Sequence, residues 1–574
     1  MKRLGLAVHP AVFGIHRGAA LLALLYVVVV LAILAFGFPH EDAFILFKYA
    51  RNVACGQGIV FYPGGPHAEG ATDFLWMLLL AGARFIGLDV AIAAALLNGA
   101  GFYIVARIFL QGPAARSPGI RAARWVALSL VFATSASVAG VRGFSAMLYS
   151  ALALVAFTKT VAPSVRASNQ VPLYAILLGL LRPDGVILGG GLTILAGLRV
   201  FDSRKKQPIA DFARRVAAAI AIGGAYFVWR CHYFDSILPL PLYVKQHFNS
   251  GAPPGLEVTF DWFASTLAPL AIVSVFARIV LGRLQRHDFV RLRALGVALL
   301  PFAVHVASFI PSAPTQNVMN RFEAPAQLAV LYFVLQLVTA RRRQTPSSAR
   351  FVLVSASLVV AFFPVFRLGW FEIDDALWGQ YPNALSRDLG VLADQNTRVA
   401  ATEAGRVLYF ARGPVLDLVG LNTRETALRP PTRKLLNDFD PDVVMIHHAG
   451  SIIEATIQDD GRDVMPILDP LHQHIPATVW PLLGDDLPPY DVLKLQNVFV
   501  AATATEGFLD DTRDRYDVYA VRFTSRFFHF HIFAIKKNWP RKQALLDAIV
   551  RAHVESSLHS YLEYSPPFGG HCDR

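Results

Sequence analysis

Residues 40–76 read HEDAFILFKYARNVACGQGIVFYPGGPHAEGATDFLW and interrupt an otherwise strongly apolar sequence. The stretch follows an apolar run from Ala19 to Phe36, opens with the adjacent carboxylates Glu41 and Asp42, and is followed by apolar sequence again. Cations, aromatic residues and glycine turns fill its middle. A polar segment with paired carboxylates between long apolar runs predicts a loop at a membrane surface, and we interpret this loop as the reaction centre.

The composition is that of a membrane protein. The chain has 574 residues, of which 54% are hydrophobic and only 16% are charged, and its mean hydropathy is +0.44. A soluble protein of this length is less apolar and more charged. The net charge is +12, but Lys and Arg cluster in short loops between apolar runs, as topology signals do. Nucleic acid is therefore excluded as a partner, and a polytopic α-helical membrane protein is predicted.

The basic loops predict a topology. The basic N-terminus precedes an apolar run with no small-residue cleavage site after it, so we expect a retained helix and a cytoplasmic N-terminus. Placing the later basic loops in the cytoplasm gives about 11 transmembrane helices within residues 1–370, provided that Leu75 to Leu88 stays on the outer side without crossing. The first outer loop, residues 38–90, then carries the paired carboxylates. The remaining apolar segments are residues 91–111, 123–140, 145–162, 171–181 with 186–200, 216–230, 263–281, 294–310, 324–340 and 350–366.

The composition changes after Phe371, where charges and prolines appear. Short β-rich runs (RVAAT, PVLDLVG, PDVVMIHH and FFHFHIFAIKK) alternate there with polar and helix-like stretches. Residues 371–574 are therefore predicted to form a soluble α/β domain, and the topology places this domain on the extracytoplasmic side.

Cysteine and histidine patterns give no clear metal site. The cysteines are far apart and odd in number, so they form neither a metal-ligand spacing nor a disulfide framework, although one pair can still bridge outside the cytoplasm. They are Cys55, Cys231 and Cys572. His447 with His448, and His529 with His531, lack a third ligand at a defined spacing. The sequence thus requires no cofactor and leaves a divalent metal open.

Glu41 and Asp42 are like charges beside a low-dielectric region, so at least one of them is expected to have a raised pKa and to suit a general base. An acidic cap on the helix that starts at Phe44 explains the same pair, because acidic residues are favoured at helix N-termini. Lys48 and Arg51 lie on this helix, which is predicted to be amphipathic and to rest on the bilayer. We interpret both cations as headgroup or phosphate ligands, with snorkelling as the alternative.

Further cations recur at the outer ends of the predicted spans, where the topology bias disfavours them. A phosphate group is the obvious anion to explain them. Each one alone is better explained by structure, but together with the carboxylates they describe a site that holds an anionic headgroup beside a base. These cations are Arg142, Arg182, Arg230, Lys245 and Arg321.

The first loop and four later stretches resemble the GT-C glycosyltransferases, in the branch that includes mycobacterial arabinofuranosyltransferases. EDAFILFKYARNVACGQGIVFYPGGPHAEGATDFLW is similar to the DDAYI-type first loop of that family. The later stretches follow in the same order and extend the resemblance to about residue 445. They are LRPDG at 181–185, WRCHYFDSILPLPLYVK at 229–245, NRFEAP at 320–325 and ATEAGRVLYFARGPVLDLVGLN at 401–422.

The resemblance implies an enzyme of the bacterial inner membrane that moves a sugar, such as arabinofuranose, from a polyprenyl-phosphate carrier to a cell-envelope glycan or lipid. It places the catalytic carboxylate at the leading position, Glu41, with Asp42 second. The chain departs from the family pattern at Glu41 and Glu403, where Asp is usual, and at Ser145, where Glu is common. These departures leave open which carboxylate is the base.

The residue types fit this chemistry on their own terms. A lipid phosphate is a good leaving group, so a carboxylate base and cations that stabilise the phosphate suffice, and a single displacement would invert the anomeric centre. Aromatic and polar groups suit a sugar site, although interfacial aromatic belts look similar. The candidate substrate ligands are Arg182, Asp184, Tyr233, Tyr243, Lys245 and Arg321, and the C-terminal domain is expected to bind the acceptor.

Two rival functions share these features. A transporter or flippase for lipid-linked sugars would have as many spans and cations, but it predicts internal repeats and charges near the bilayer midplane, and the sequence shows neither. An inactive relative that only binds the lipid carrier is the other rival, and the Glu41 departure motivates it.

Overall fold

A computed structural model describes most of the helical part of the chain and much of the C-terminal part. The described residues are 10–111, 118–162, 164–247, 268–281, 286–310, 317–340, 348–361, 381–403, 405–449, 464–466, 505, 508–509, 511–522, 529–555 and 561–564. The statements below concern these residues.

The first two thirds of the chain are helical. Helices α1 to α12 are Pro10–Phe36, Glu41–Ala54, Phe74–Phe85, Val90–Leu110, Pro118–Phe132, Ser135–Val141, Ala146–Thr160, Val165–Ser168, Val171–Leu181, Gly185–Asp202, Lys206–Phe234 and Leu240–His247. Helices α13 to α17 are Ala268–Leu281, Arg286–Val297, Leu300–Ala307, Ala324–Thr339 and Ser348–Ala361. Helix α1 packs against α4, and α4 packs against α7, so the core lies between them.

Helices lie where the sequence predicts apolar spans, but the structure does not confirm the number of crossings. Among the described residues, five helices are long and apolar enough to cross a membrane, or six if the bent pair α5 and α6 is one span. Helix α3 has 12 residues and would cover about 18 Å, less than the roughly 30 Å hydrocarbon core of a bilayer. That the Leu75 to Leu88 segment does not cross stays a prediction.

Helix α2 carries the paired carboxylates of the first loop. His40 is the N-cap of this helix, and its side chain accepts a hydrogen bond from the Asp42 backbone N–H at 3.2 Å. Glu41 and Asp42 lie in the first turn. The sequence predicts an amphipathic helix resting on the bilayer. The structure differs, because α2 is buried along most of its length, including the side chain of Lys48.

The C-terminal part contains a mixed six-stranded sheet in the order β2-β1-β3-β6-β5-β4. Strands β1 to β6 are Val399–Ala401, Val415–Asp417, Val443–Ala449, Val464–Pro466, Tyr516–Arg522 and His529–Lys536. Strand β1 pairs in parallel with β2 and β3, and the remaining pairs are antiparallel. The four β-rich runs in the sequence become β1, β2, β3 and β6. Helices α18 to α22 are Tyr381–Leu392, Arg424–Leu428, Arg433–Phe439, Lys542–Glu555 and Tyr561–Tyr564.

Helix α2 also contacts this C-terminal part directly. The Lys48 ammonium donates to the carbonyl of Ala411 at 3.0 Å and to that of Leu408. At Gly405 an added Cβ would lie 2.3 Å from the Glu41 carbonyl oxygen, so the close approach of the two backbones requires glycine there. The first loop and the segment after β1 therefore form one packed unit.

The first-loop cysteine does not pair with the cysteine of α11. Cys55 is in a disulfide, whereas Cys231 has a free thiol. The open question of a Cys55–Cys231 bridge is thereby answered.

Candidate active site

A cavity of about 110 Å³ lies between the first loop and the ends of several helices. A single water needs roughly 10–15 Å³ measured in this way, so the space admits a polar group larger than one water. Its lining combines carboxylates, guanidinium groups and aromatic rings. The lining residues are Asp42, Ile45, Leu46, Gly70, Thr72, Asp73, Phe144, Arg182, Pro241, Arg321, Phe322 and Leu421.

Asp42 and Arg321 face each other in this cavity. Arg321 Nη2 lies 3.2 Å from Asp42 Oδ2, and the guanidinium carbon is 4.1 Å from the centre of the Phe144 ring. Arg321 Nη1 is buried and has no hydrogen-bond partner among the described residues. Met319 and Asn320, directly before it, have φ angles of 61° and 50°, a strained conformation that sets the direction of Arg321. Nη1 of Arg321 is therefore available to donate a hydrogen bond to a ligand in the cavity.

Asp73 is a second carboxylate of the cavity, and the sequence did not single it out. It precedes α3, but its side chain makes no capping hydrogen bond. Its Oδ2 instead accepts from Ser145 Oγ at 2.6 Å. Burial raises the pKa of Asp73, opposed by Arg182. An Asp directly before an apolar helix is typical of an ordinary N-cap, so the sequence pattern alone does not indicate a functional role for Asp73. Ser145 is also the position at which the resemblance leads us to expect Glu.

Arg182 is the second guanidinium of the cavity, and a buried network holds it. Arg182 Nε lies 3.1 Å from Asp184 Oδ1, and the guanidinium is over the rings of Tyr149 and Phe322, at 5.4 and 4.9 Å. Asp184 Oδ2 lies 2.8 Å from Nε2 of the fully buried His305. Burial alone would raise the pKa of Asp184, but Arg182 and His305 hold it well below its ordinary value. His305, hidden in a predicted span, positions Asp184 and through it Arg182.

Glu41 points to the C-terminal part and does not line the cavity. Its Oε1 accepts from the Gly405 N–H and its Oε2 from the Arg406 N–H, both at 2.7 Å. The Arg406 guanidinium is 3.6 Å from Oε2. Burial and the neighbouring charge of Glu403 raise the pKa of Glu41 to about 7. Both oxygens are thus engaged in joining α2 to the segment after β1.

Other residues predicted to bind substrate have partners outside the cavity. Lys48 is fully buried on the C-terminal carbonyls described above, and burial lowers its pKa. The Arg51 guanidinium lies 5.0 Å from the Tyr409 ring. Arg142 is buried and donates to the Phe38 carbonyl at 3.1 Å. These three cations stabilise the surroundings of the first loop.

The residues predicted as a sugar site near the end of α11 also have structural contacts. The Tyr233 hydroxyl accepts from the Ile59 N–H at 3.2 Å, and its ring stacks on His67 with centroids 4.1 Å apart. Tyr243 packs against a hydrophobic cluster of the C-terminal part. Lys245 belongs to α12, but its side chain lies outside the described residues.

Arg230 has a protein carboxylate as its anion. Its Nε lies 2.6 Å from Glu69 Oε1, its Nη2 contacts Glu69 Oε2, and its Nη1 donates to the Ile237 carbonyl at 2.7 Å. The phosphate proposed from the sequence is therefore not needed to explain this cation. The pair ties the end of α11 to the first loop, one residue before Gly70 of the cavity.

The described residues contain no group of three His, Cys, Asp or Glu side chains that could hold a metal ion. His531 Nε2 lies 3.1 Å from Glu403 Oε2, which is an ion-pair contact at the junction with α2. His529, His447 and His448 have side chains outside the described residues.

The cavity thus offers two carboxylates, which can accept a proton or a hydrogen bond from a hydroxyl group. It also offers two guanidinium groups, which can bind an anion. Asp42, Arg182 and Arg321 of the sequence-based candidates meet there, Asp184 supports them, and Asp73 joins them.

Comparisons with known proteins find similarity to a family model and to a solved structure. Residues 377–519 match the family model described as "Domain of unknown function (DUF8728)". A search of curated proteins returns no match. The chain is similar in structure to ArnT from Cupriavidus metallidurans, solved as a crystal structure in the apo state, at 13% sequence identity and a TM-score of 0.46. That similarity covers 79% of this chain and 97% of ArnT.

Proposed function

We propose that the chain is an integral-membrane GT-C type glycosyltransferase, which moves a sugar from a polyprenyl-phosphate carrier to a hydroxyl group on a cell-envelope glycan or lipid. The observation that carries this proposal is the cavity in which Asp42 pairs with Arg321 and Arg182 lies alongside. In the part of the chain that the structure describes, Arg321 Nη1 has no hydrogen-bond partner. An anion-binding pair of guanidinium groups beside a carboxylate is what transfer from a lipid phosphate needs. The resemblance of the first loop to GT-C enzymes supports the same reaction.

Arg321 and Arg182 bind the phosphate of the donor in this proposal. Arg321 Nη1 is a buried donor without an acceptor among the described residues, and leaving such a donor unpaired costs about 1–3 kcal/mol, so a phosphate oxygen there is favourable. A phosphate at Nη1 also shares the charge of the guanidinium with Asp42, which contacts Nη2. Donor binding therefore weakens the hold of Arg321 on the Asp42 carboxylate.

Asp42 then acts as the general base. It takes the proton of the acceptor hydroxyl while that oxygen bonds to the anomeric carbon, and the bond from this carbon to the phosphate oxygen breaks. The phosphate leaves with the electron pair, held by the two guanidinium groups, and the anomeric centre is inverted. Positioned general bases contribute about 100- to 10,000-fold to a rate.

Glu41 is a positioning residue in this proposal. The resemblance alone would make it the base, as the leading carboxylate. Its oxygens instead accept from the Gly405 and Arg406 N–H groups, and it does not line the cavity. It holds the start of α2, and thereby Asp42, against the C-terminal part.

The remaining parts of the proposal follow from the resemblance and the sequence pattern. Arabinofuranose is the sugar that the resemblance favours. The enzyme is placed in the bacterial inner membrane, with a cytoplasmic N-terminus and with the first loop and residues 371–574 outside, where the C-terminal domain binds the acceptor.

The test is turnover of radiolabelled polyprenyl-phosphate sugars by the purified protein in detergent. We expect Asp42→Asn to lower kcat by at least about 100-fold, while Glu41→Gln keeps much of its activity. An active Asp42→Asn with an inactive Glu41→Gln would reverse the base assignment. If the wild type binds donors and leaves all of them intact, where a related enzyme turns them over, the chain is a carrier-binding protein and the enzyme proposal fails.

A further inference from the structure

Asp73 has no structural task that accounts for a buried carboxylate. It occupies the position before α3 where an Asp ordinarily caps the helix, yet no backbone N–H of α3 donates to its side chain. Only 7% of the residue is exposed, and among the described residues no cation lies within ion-pair distance of it. The charges of Arg182 and Arg321 offset part of the cost of burying this carboxylate, but a carboxylate that neither caps nor pairs still needs hydrogen-bond donors.

The contacts of the two oxygens differ. Ser145 Oγ donates to Oδ2 at 2.6 Å, a short bond that fixes the carboxylate plane. Within the described ranges, the one hydrogen-bond contact of Oδ1 is the Thr72 hydroxyl at 3.4 Å, which is longer than an ordinary O–H···O bond. The side chain is thus oriented through one oxygen, and the other retains most of its capacity to accept hydrogen bonds.

Its place in the cavity separates Asp73 from Asp42. Asp42 is paired with Arg321, while Asp73 comes from the other end of the first loop and lines the same space. In the proposed reaction, the donor phosphate binds the guanidinium groups of Arg321 and Arg182. The group bonded to that phosphate is a sugar ring, which carries hydroxyl groups. A carboxylate oxygen is a strong acceptor for a hydroxyl group.

We propose that Asp73, held by Ser145, binds one hydroxyl group of the sugar being transferred and thereby selects that sugar. This inference rests on the proposed function and adds a specificity residue to it. A buried acceptor that loses its hydroxyl partner stays unpaired, so the site rejects a sugar that lacks the hydroxyl. The raised pKa of Asp73 is consistent with a carboxyl in a dry site.

The experiment pairs enzyme variants with altered donors. Polyprenyl-phosphate sugars, in each of which one hydroxyl is replaced by hydrogen, are compared with the parent donor on the wild type, Asp73→Ala, Asp73→Asn and Ser145→Ala. We expect one deoxy donor to lose about 10- to 100-fold in kcat/KM on the wild type. For Asp73→Ala, kcat/KM of the parent donor should fall by a similar factor relative to the wild type. With this variant, kcat/KM of the same deoxy donor should be close to that of the parent donor.

The two milder variants and a control complete the test. Ser145→Ala keeps the carboxylate but frees its orientation, so we expect a smaller loss of discrimination at the same hydroxyl. Asp211→Asn, at a partly exposed carboxylate on α11 that pairs with Arg214, should behave as the wild type. If Asp73→Ala does not fold, as judged by size-exclusion chromatography, Asp73→Asn and Ser145→Ala decide the question.

The outcomes separate this inference from the proposed function. No turnover of any donor by the wild type means that the proposed function fails. Turnover by the wild type, with Asp73 variants that slow all donors equally and keep the wild-type discrimination, overturns the sugar-binding role. A loss confined to kcat, together with a lost limb of the pH profile, also overturns it, since Asp73 would then be the base.

Discussion

Removing Glu69 should loosen the first loop, because it would leave a buried guanidinium without its anion. Glu69 and Arg230 have side chains that are only 5% and 7% exposed. Two hydrogen bonds join them, and a third runs from Arg230 to the Ile237 carbonyl. We take Glu69→Gln as the perturbation, since it keeps the size of the side chain and removes the charge.

The expected cost is about 3–5 kcal/mol in the free energy of unfolding, the range for breaking a buried ion pair on one side. Replacing both partners by apolar groups, Glu69→Leu with Arg230→Met, removes the unpaired charge. Such double replacements are often neutral or stabilising. The Ile237 carbonyl then lacks its donor at a cost of about 1 kcal/mol. We therefore expect the free energy of unfolding of the double variant to exceed that of Glu69→Gln by about 2 kcal/mol or more.

Denaturant unfolding in detergent, followed by tryptophan fluorescence, measures both variants against the wild type. Turnover of the donor provides a second readout, and we expect Glu69→Gln to raise KM more than it lowers kcat, because Gly70 of the cavity follows Glu69. A cost below about 1 kcal/mol for Glu69→Gln would show that the pair is only a weak surface-type contact. A double variant as unstable as the single one would also refute the reasoning.

Three further predictions concern the same region. Gly70→Ala should destabilise the fold by about 1–3 kcal/mol and lower activity, because the added Cβ would lie 2.1 Å from Asn422 Oδ1. Lys48→Met should cost about 2–3 kcal/mol, because two buried carbonyls lose their donor. For Glu41, the folded-state pKa of about 7 exceeds the ordinary 4.5, so the folded protein keeps a proton that the unfolded chain releases. Stability should fall by about 3 kcal/mol as the pH rises from about 4.5 to 7, and Glu41→Gln should remove this slope.

Thermal and denaturant unfolding in detergent check these predictions, with matched controls. Gly82→Ala has open space around its Cβ and should be neutral, so equal effects at Gly70 and Gly82 would contradict the packing argument. Lys434→Met, at a lysine whose side chain is 82% exposed, should leave stability within about 0.5 kcal/mol. Parallel stability curves against pH for the wild type and Glu41→Gln would show that Glu41 does not titrate in this range.

The sequence predicts the local parts of the fold well. Apolar segments of spanning length become helices, and the β-rich runs of the C-terminal part become strands, because both patterns depend on nearby residues. The crossing count is a different matter, since helices such as α3 and α7 are apolar but short. Length and composition of a helix alone do not determine how it lies relative to a bilayer.

The site is predictable only in part, for a physical reason. Asp42, Arg182 and Arg321 stand out as charges at the ends of apolar runs, and these residues meet in the cavity. The partners of Glu41 and Lys48 lie more than 350 residues away in the chain, and no local pattern encodes them. Asp73 was missed because an Asp directly before an apolar helix looks like an ordinary N-cap, although its side chain does not cap α3. Its contact with Ser145 exists only in the folded chain.

The contact between α2 and the segment after β1 has a consequence for biogenesis. Glu41 and the N–H of Gly405 are 364 residues apart, and a ribosome adds roughly 5–20 residues each second. The partners that fix the first loop are therefore synthesised roughly 20–70 s after the loop itself. During that time Lys48 and Glu41 lack the carbonyls and N–H groups that they contact in the folded protein, so a nascent chain halted before residue 405 should carry a first loop that is not yet fixed in place.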